Sequence, residues 1–253
     1  MLITLTLGIS VSAIAQGQTN AKVAGARSTA VSIPFVGCNS DGQAGPLEAP
    51  KGKSRTVPVG KEPSQKLAYY EAAVSLAVLA PRGWYCFGVY GSGGEALYVS
   101  PDPTTATHVL STEWQGLSGP AVRLARSYGD TSGRVEVARV IARVFPNYRT
   151  FVQNVSEMFD APKDWFPLGP YPADTLTYKS KRVVEYRTAA AAEGLGTNSQ
   201  MLKNDQPIDG TAILTGRSPD LLLLSVRLPT DLRGLAPTII HQAERDEANR
   251  WRQ

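Results

Sequence analysis

The sequence predicts an α+β fold: a mainly antiparallel sheet with helices packed on it, closed by one disulfide. Three observations lead there. Strand-like and helix-like segments are segregated along the chain (strands, then helices, then strands and a helix) and do not alternate as parallel βαβ units would. Glycine and proline, 23 and 18 in 253 residues, favour many turns and short elements over a helix bundle. The only two cysteines, Cys38 and Cys86, form an isolated pair.

Composition bounds the rest. The chain is 42% hydrophobic and 19% charged, which is enough to bury a core as one domain over 33–253. The net charge is +4, and the basic residues are scattered. Their densest group, Lys51, Lys53, Arg55 and Lys61, is interrupted by Gly52, Pro58, Gly60 and Pro63 and reads as a solvated loop. A nucleic-acid partner would need that charge gathered on one face, so none is expected.

Residues 2–14 are apolar or small, with no charge before Lys22. Ala13-Ile14-Ala15 then offers the small-x-small pattern of a signal-peptidase site, placing the cut before Gln16. The expected organisation is a signal peptide over 1–15, a flexible tail over 16–32 and then the domain. The run is short for a membrane span, which takes about 20 residues, so no integral span is expected after cleavage. A secretory signal ordinarily opens with Lys or Arg, and this segment does not. The competing reading is a buried strand, because Ile3, Leu5, Leu7, Ile9 and Val11 alternate with small or polar residues. The polar stretch after Ala15 favours export to the periplasm or exterior.

In an oxidising compartment an isolated cysteine pair is most simply a disulfide. Closing a loop of nearly fifty residues restricts the unfolded chain by about 4 kcal/mol. The rival is a Cys86 nucleophile with His108 or His241 as base. Cys86 lies inside an aromatic, strand-like run, whereas a reactive thiolate favours a turn or a helix start. The spacing of the cysteines and histidines matches no compact zinc pattern. No metal and no cofactor are expected.

Along the domain, 31–38 reads as a strand, followed by a turn at 39–42 and a mobile loop to Pro63. Ser64 is placed to cap a helix over 65–73, with Leu67, Tyr70 and Val74 on one side. Residues 78–90 are strand-like, and Pro81 within them signals an edge or a bulge. Gly91-Ser92-Gly93-Gly94 leads into a second strand at 96–100. Phosphate-binding glycines are followed by a helix, so this is a β-hairpin and nucleotide binding is not supported. Ser118-Gly119-Pro120 suggests a helix start, with Gly129 its end. A second helix follows Ser132, with Val137, Val140, Ile141, Val144 and Phe145 on one apolar face and Arg134, Arg139 and Arg143 off it. Pro146 breaks it, and the stripe resumes from Phe151 to Phe159.

An aromatic, proline-rich connector spans 164–172. Residues 182–188 alternate as a strand, with Val184 and Tyr186 on one side and Val183, Glu185 and Arg187 on the other. A loop over 189–207 carries Gly194-Leu195-Gly196-Thr197. Strands at 209–215 and 220–228 form a hairpin, and the unbroken Leu221-Leu222-Leu223-Leu224 run suits a strand buried on both faces. A helix over 235–251 closes the chain.

These segments resemble a group of uncharacterised exported bacterial proteins. The resemblance lies in Phe35-Val36-Gly37-Cys38 with Asp41-Gly42, in Gly83-Trp84 with Cys86-Phe87-Gly88, in Glu193-Gly194-Leu195-Gly196-Thr197 and in 222–229. It implies export and covers nearly the whole domain. It carries no activity, and so no functional residue.

No catalytic motif is assembled: there is no Gly-x-Ser-x-Gly elbow and no His-Glu-x-x-His, and catalytic residues are unknown. The leading expectation is a non-enzymatic envelope or secreted protein that binds an unknown ligand or envelope component. Trp165, Phe166 and Tyr171 of the connector, Glu185 and Arg187 of the strand, and Thr197 of the glycine loop are its candidate binding residues. The alternative is an exported hydrolase of an ester, amide or glycosidic bond, with Glu185 as one carboxylate. His108 and His241 each have a plain structural reading as polar surface residues.

Overall fold

The computed structural model describes residues 30–251, apart from Lys163 and Ser199. The expected signal segment and most of the expected tail lie outside those residues. Strand β1 (Ala30–Cys38) takes in the last three positions assigned to the tail, because residues 30–32 pair antiparallel with β3 (Ser54–Pro58).

The architecture is α+β, built on two mostly antiparallel sheets. The smaller sheet has the order β3-β1-β4-β5, where β4 is Leu67–Ala72 and β5 is Ala77–Pro81. Its one parallel pairing is β1 with β4. The larger sheet has eight strands in the order β2-β6-β7-β8-β12-β11-β10-β9. These are β2 (Ser40–Gly42), β6 (Tyr85–Gly91), β7 (Gly94–Ser100), β8 (Ala121–Ser127), β9 (Asp174–Tyr178), β10 (Val183–Thr188), β11 (Ile208–Thr215) and β12 (Asp220–Arg227). Only the short β2–β6 edge is parallel.

Both faces of the large sheet are covered. Leu222 and Leu224 of β12 point to one face, with Leu97, Val99, Val122 and Leu124. The small sheet and helix α5 (Ala236–Arg250) cover that face. Leu221 and Leu223 point to the other face, where α3 (Arg134–Val144) and α4 (Arg149–Met158) lie. The four-leucine run is therefore buried on both sides, as its composition requires. The α3 stripe Val137, Val140, Ile141, Val144 and Phe145 is buried throughout, which confirms the helical period. On α4 only the first part of the stripe is buried; Met158 and Phe159 are exposed.

Four expectations need correction. Residues 65–73 are not a helix: α1 (Lys61–Lys66) ends where β4 begins. Leu67, Ala68, Tyr69 and Tyr70 are all buried; β5 pairs with all four, and β1 pairs on the other side from Tyr69 onward. The segment after Ser118 is β8, a central strand between β7 and β12. The region 39–63 is not one loop, since it contributes β2 and β3. The run 78–90 is not one strand: it breaks after Pro81 into β5 and β6, and there the chain passes from the small sheet to the large one. Pro81 ends β5, an edge strand as its proline demands.

Cys38 and Cys86 are joined, with Cα atoms 5.4 Å apart. The bridge ties the end of β1 in the small sheet to β6 in the large one. A Cys86 nucleophile is thereby removed. Ionic ties add to it: Arg126 of β8 donates two hydrogen bonds to Glu247 of α5, at 2.8 and 2.7 Å, and both side chains are buried.

Candidate functional site

The candidate residues separate onto opposite faces of the large sheet. Glu185 and Arg187 alternate with buried Val184 and Tyr186 on β10. They face the side carrying α5, at the end of the sheet beyond the small sheet. There β9, β10 and β11 and the start of α5 bound a cleft of about 610 Å³. Its floor is apolar, from Ala236, Pro237 and Ile240 of α5 and Gly210 of β11. Gly210 is required by close approach: a Cβ there would meet Leu224 O at 2.1 Å and the Tyr186 ring at 2.5 Å. The Tyr186 hydroxyl, buried on the far side, donates to Leu224 O, and burial pushes its pKa up.

The polar rim is organised by strand register. Arg187 and Asp209 are directly opposite, and Arg187 Nη1 donates to Asp209 Oδ1 at 2.9 Å. Burial raises the Asp209 carboxyl, and Arg187 opposes that shift. Arg233, at the entrance to α5, lines the same rim. Glu185 Oε1 lies 3.0 Å from Lys179 Nζ and 3.5 Å from His241 Nε2. Glu244 stands one helical turn beyond His241 and accepts a hydrogen bond from Thr211 Oγ1 at 3.0 Å. Burial raises the Glu244 carboxyl; the Thr211 bond opposes this and the charge of Glu185 adds to it. One donor atom from each of Glu185, His241 and Glu244 lies within 4.8 Å of the others. The sequence does not show this cluster: it offers His241 as a base for Cys86 or as a polar surface residue, and Glu244 only as part of a closing helix. Their i,i+3 spacing places them on one side of it, but nothing local shows which strand that side meets.

The connector residues take different positions on the α3 side. Phe166 is buried against the core and borders a small cleft of about 170 Å³ with Val152 and Leu168. Trp165 and Tyr171 line a second cleft of about 430 Å³ with Arg139, Arg143 and Asn198. The Arg143 guanidinium sits 3.9 Å from the Tyr171 ring centroid, a cation–π contact. Arg139 pairs with Glu136 at 2.8 Å.

Thr197 holds its own loop together. Its hydroxyl accepts from Gly194 N at 2.9 Å and donates to Gly194 O at 3.0 Å. The surrounding loop is fastened to the sheet by Asp174, which accepts from Thr188 Oγ1 and Leu195 N. A Cβ on Gly194 would meet Asp174 Oδ1 at 2.2 Å. The glycines serve that packing, and the Thr197 hydroxyl closes the loop on Gly194.

No protein-family model, curated protein or solved structure matches the chain. No helix among the described residues is long and apolar enough to cross a membrane.

Proposed function

We propose that this is an exported, non-enzymatic binding protein that takes a compact ligand in the α5 cleft. The observation that carries the reading is a cleft of about 610 Å³ with an apolar floor and a rim of ion pairs. That volume and polarity match small-molecule sites in general. Arg187 and Asp209 neutralise one another, as do Glu185 and Lys179, which leaves Arg233 to meet an anionic end of the ligand. The disulfide supports the exported compartment. The resemblance to exported bacterial proteins agrees with it and adds no activity.

The test uses 1-anilinonaphthalene-8-sulfonate, a probe with an apolar body and an anionic end. Saturable binding is expected, weakened about tenfold or more by Gly234→Trp. That position has open space around a Cβ, so the indole enters the cleft without disturbing the backbone. Absence of saturable binding, or binding indifferent to Gly234→Trp, overturns the reading.

One observation favours a second reading, the hydrolase. Glu185 and Glu244 bring two carboxylates together beside His241, and Glu244 is shifted toward the protonated form. A pair of carboxylates, one serving as acid and the other as base or nucleophile, is what glycoside hydrolysis requires. Turnover of p-nitrophenyl esters or glycosides that both Glu185→Gln and Glu244→Gln abolish would replace binding with catalysis.

A further inference from the structure

We propose that Glu185, His241 and Glu244 form a binding site for one divalent transition-metal ion, with zinc the best match. The proposal goes beyond ligand binding in the cleft and concerns its wall. Helix and strand each supply part of the donor set. His241 and Glu244 share one side of α5, and Glu185 rises from β10 opposite them. Zinc bound at about 2.0–2.2 Å to tetrahedral nitrogen and oxygen donors separates those donors by about 3.3–3.6 Å. The 3.5 Å between His241 Nε2 and Glu185 Oε1 already has that value. The third donor lies within 4.8 Å of both, a gap that side-chain rotation closes.

Three further observations point to a cation. Glu185 Oε1 is sealed from solvent and already draws two cation-capable groups, Lys179 Nζ at 3.0 Å and His241 Nε2 at 3.5 Å. Glu244 is held by Thr211 through a hydrogen bond, the outer-layer support that orients ligating carboxylates. Glu185 and Glu244 also bring two carboxylates within 4.8 Å of one another, a juxtaposition that a cation between them favours.

Lys179 is the resident counter-charge. Its side chain is 42% exposed, so it can swing into solvent when an ion arrives. Two carboxylates with one divalent ion are then neutral, with His241 binding as the uncharged imidazole. Glu185 and His241 both line the cleft, which leaves the remaining coordination position to water or to a ligand held there. One imidazole and two carboxylates suit zinc better than magnesium or calcium, which favour all-oxygen sites. The thiols play no part, being joined in the disulfide.

The test is calorimetric titration of Zn²⁺ into the oxidised, metal-stripped protein carrying no oligohistidine tag. One ion per chain is expected. His241→Ala and Glu185→Gln should each weaken binding about tenfold or more, while Lys179→Ala should tighten it. His108→Ala, at an exposed position outside the cluster, should leave it unchanged. Circular dichroism of each variant without metal checks the fold, which exposed His241 is not expected to affect. Absence of binding overturns the proposal, as does binding that His241→Ala leaves intact or that Lys179→Ala weakens. Gly234→Trp separates this from the ligand reading: it should abolish the apolar probe and retain the metal. Probe binding without metal binding would sink the metal site alone.

Discussion

The two faces of the large sheet are held by different means. On one face the cover comes from distant parts of the chain, the small sheet from residues 30–81 and α5 from the C-terminal end. On the other face α3 and α4 fall between neighbouring parts of the sequence and pack through a continuous apolar stripe. The distant cover is fastened by a covalent bridge and a buried ion pair, Cys38–Cys86 and Arg126–Glu247. The local cover relies chiefly on area. Closing a long loop costs chain entropy before any contact repays it, so the distant cover gains most from ties that act at single points. The first face should therefore fail abruptly when one contact is cut, and the second should weaken by degrees.

The sharpest way to break this contrast is Arg126→Ala. It leaves Glu247 buried without its partner and should cost about 3–5 kcal/mol, read by urea denaturation. Replacing both residues with apolar ones of similar volume should recover most of that loss. If Arg126→Ala alone costs under about 1 kcal/mol, the ion pair is not what holds α5 down. Next comes the bridge. The double variant Cys38→Ala/Cys86→Ala should lose about 2–5 kcal/mol while keeping the α3 packing. Hydrogen exchange is the discriminating readout: β1 and β4 amides should lose protection before those of α3.

On the second face Ile141→Val should cost only about 0.5–1.5 kcal/mol, with no selective opening of α3. The smallest effect is on pH. Asp246, Glu244, Glu95 and Asp209 all lie on the α5 side, and burial raises each above its ordinary value. Their folded forms hold protons more tightly than the unfolded chain, so stability is lost as pH rises through those folded values. Burial pushes Glu247 up as well, but Arg126 outweighs it and holds the carboxyl below 4.5. Its contribution is present above 4.5 and is lost only as pH falls through its lowered folded value. Melting temperature should accordingly be higher near about pH 5 than near about pH 7, and Asp246→Asn should flatten that slope. An opposite slope would mean these carboxylates are better paired than their burial implies.

What the sequence made legible follows the same division. The α3 stripe, the β6–β7 and β11–β12 hairpins, the alternation of β10 and the closing helix all carry local patterns, and each stands where the pattern put it. β4 and β8 were misread because they are buried on both faces. Leu67, Tyr70 and Val74 match a helical period as well as a strand, and Ala121 through Ala125 show little alternation. Only pairing with partners far along the chain decides between the two. The short strands β2, β3 and β9 carry too few residues for a period to show. At the candidate site, Glu185 and Arg187 were accessible through alternation. Their meeting with His241 and Glu244 was not, because it depends on how α5 crosses the sheet.

Arg227, the last residue of β12, is fully buried, with the charge of Asp205 as partial support. It donates to three backbone carbonyls, those of Gly119, Leu202 and Leu117, at 2.9, 2.5 and 2.7 Å, and burial pulls its pKa down to about 10. Its guanidinium thus acts as an internal rivet between two surface loops that also meet at the Leu117–Met201 bridge and through Asn204 Nδ2, which donates to Ser118 O. Carbonyl oxygens are the same whatever side chain stands above them. Where backbone geometry allows, the outward-facing residues of both loops are therefore free to vary without losing the anchor, so this surface can acquire new contacts at little risk to the fold.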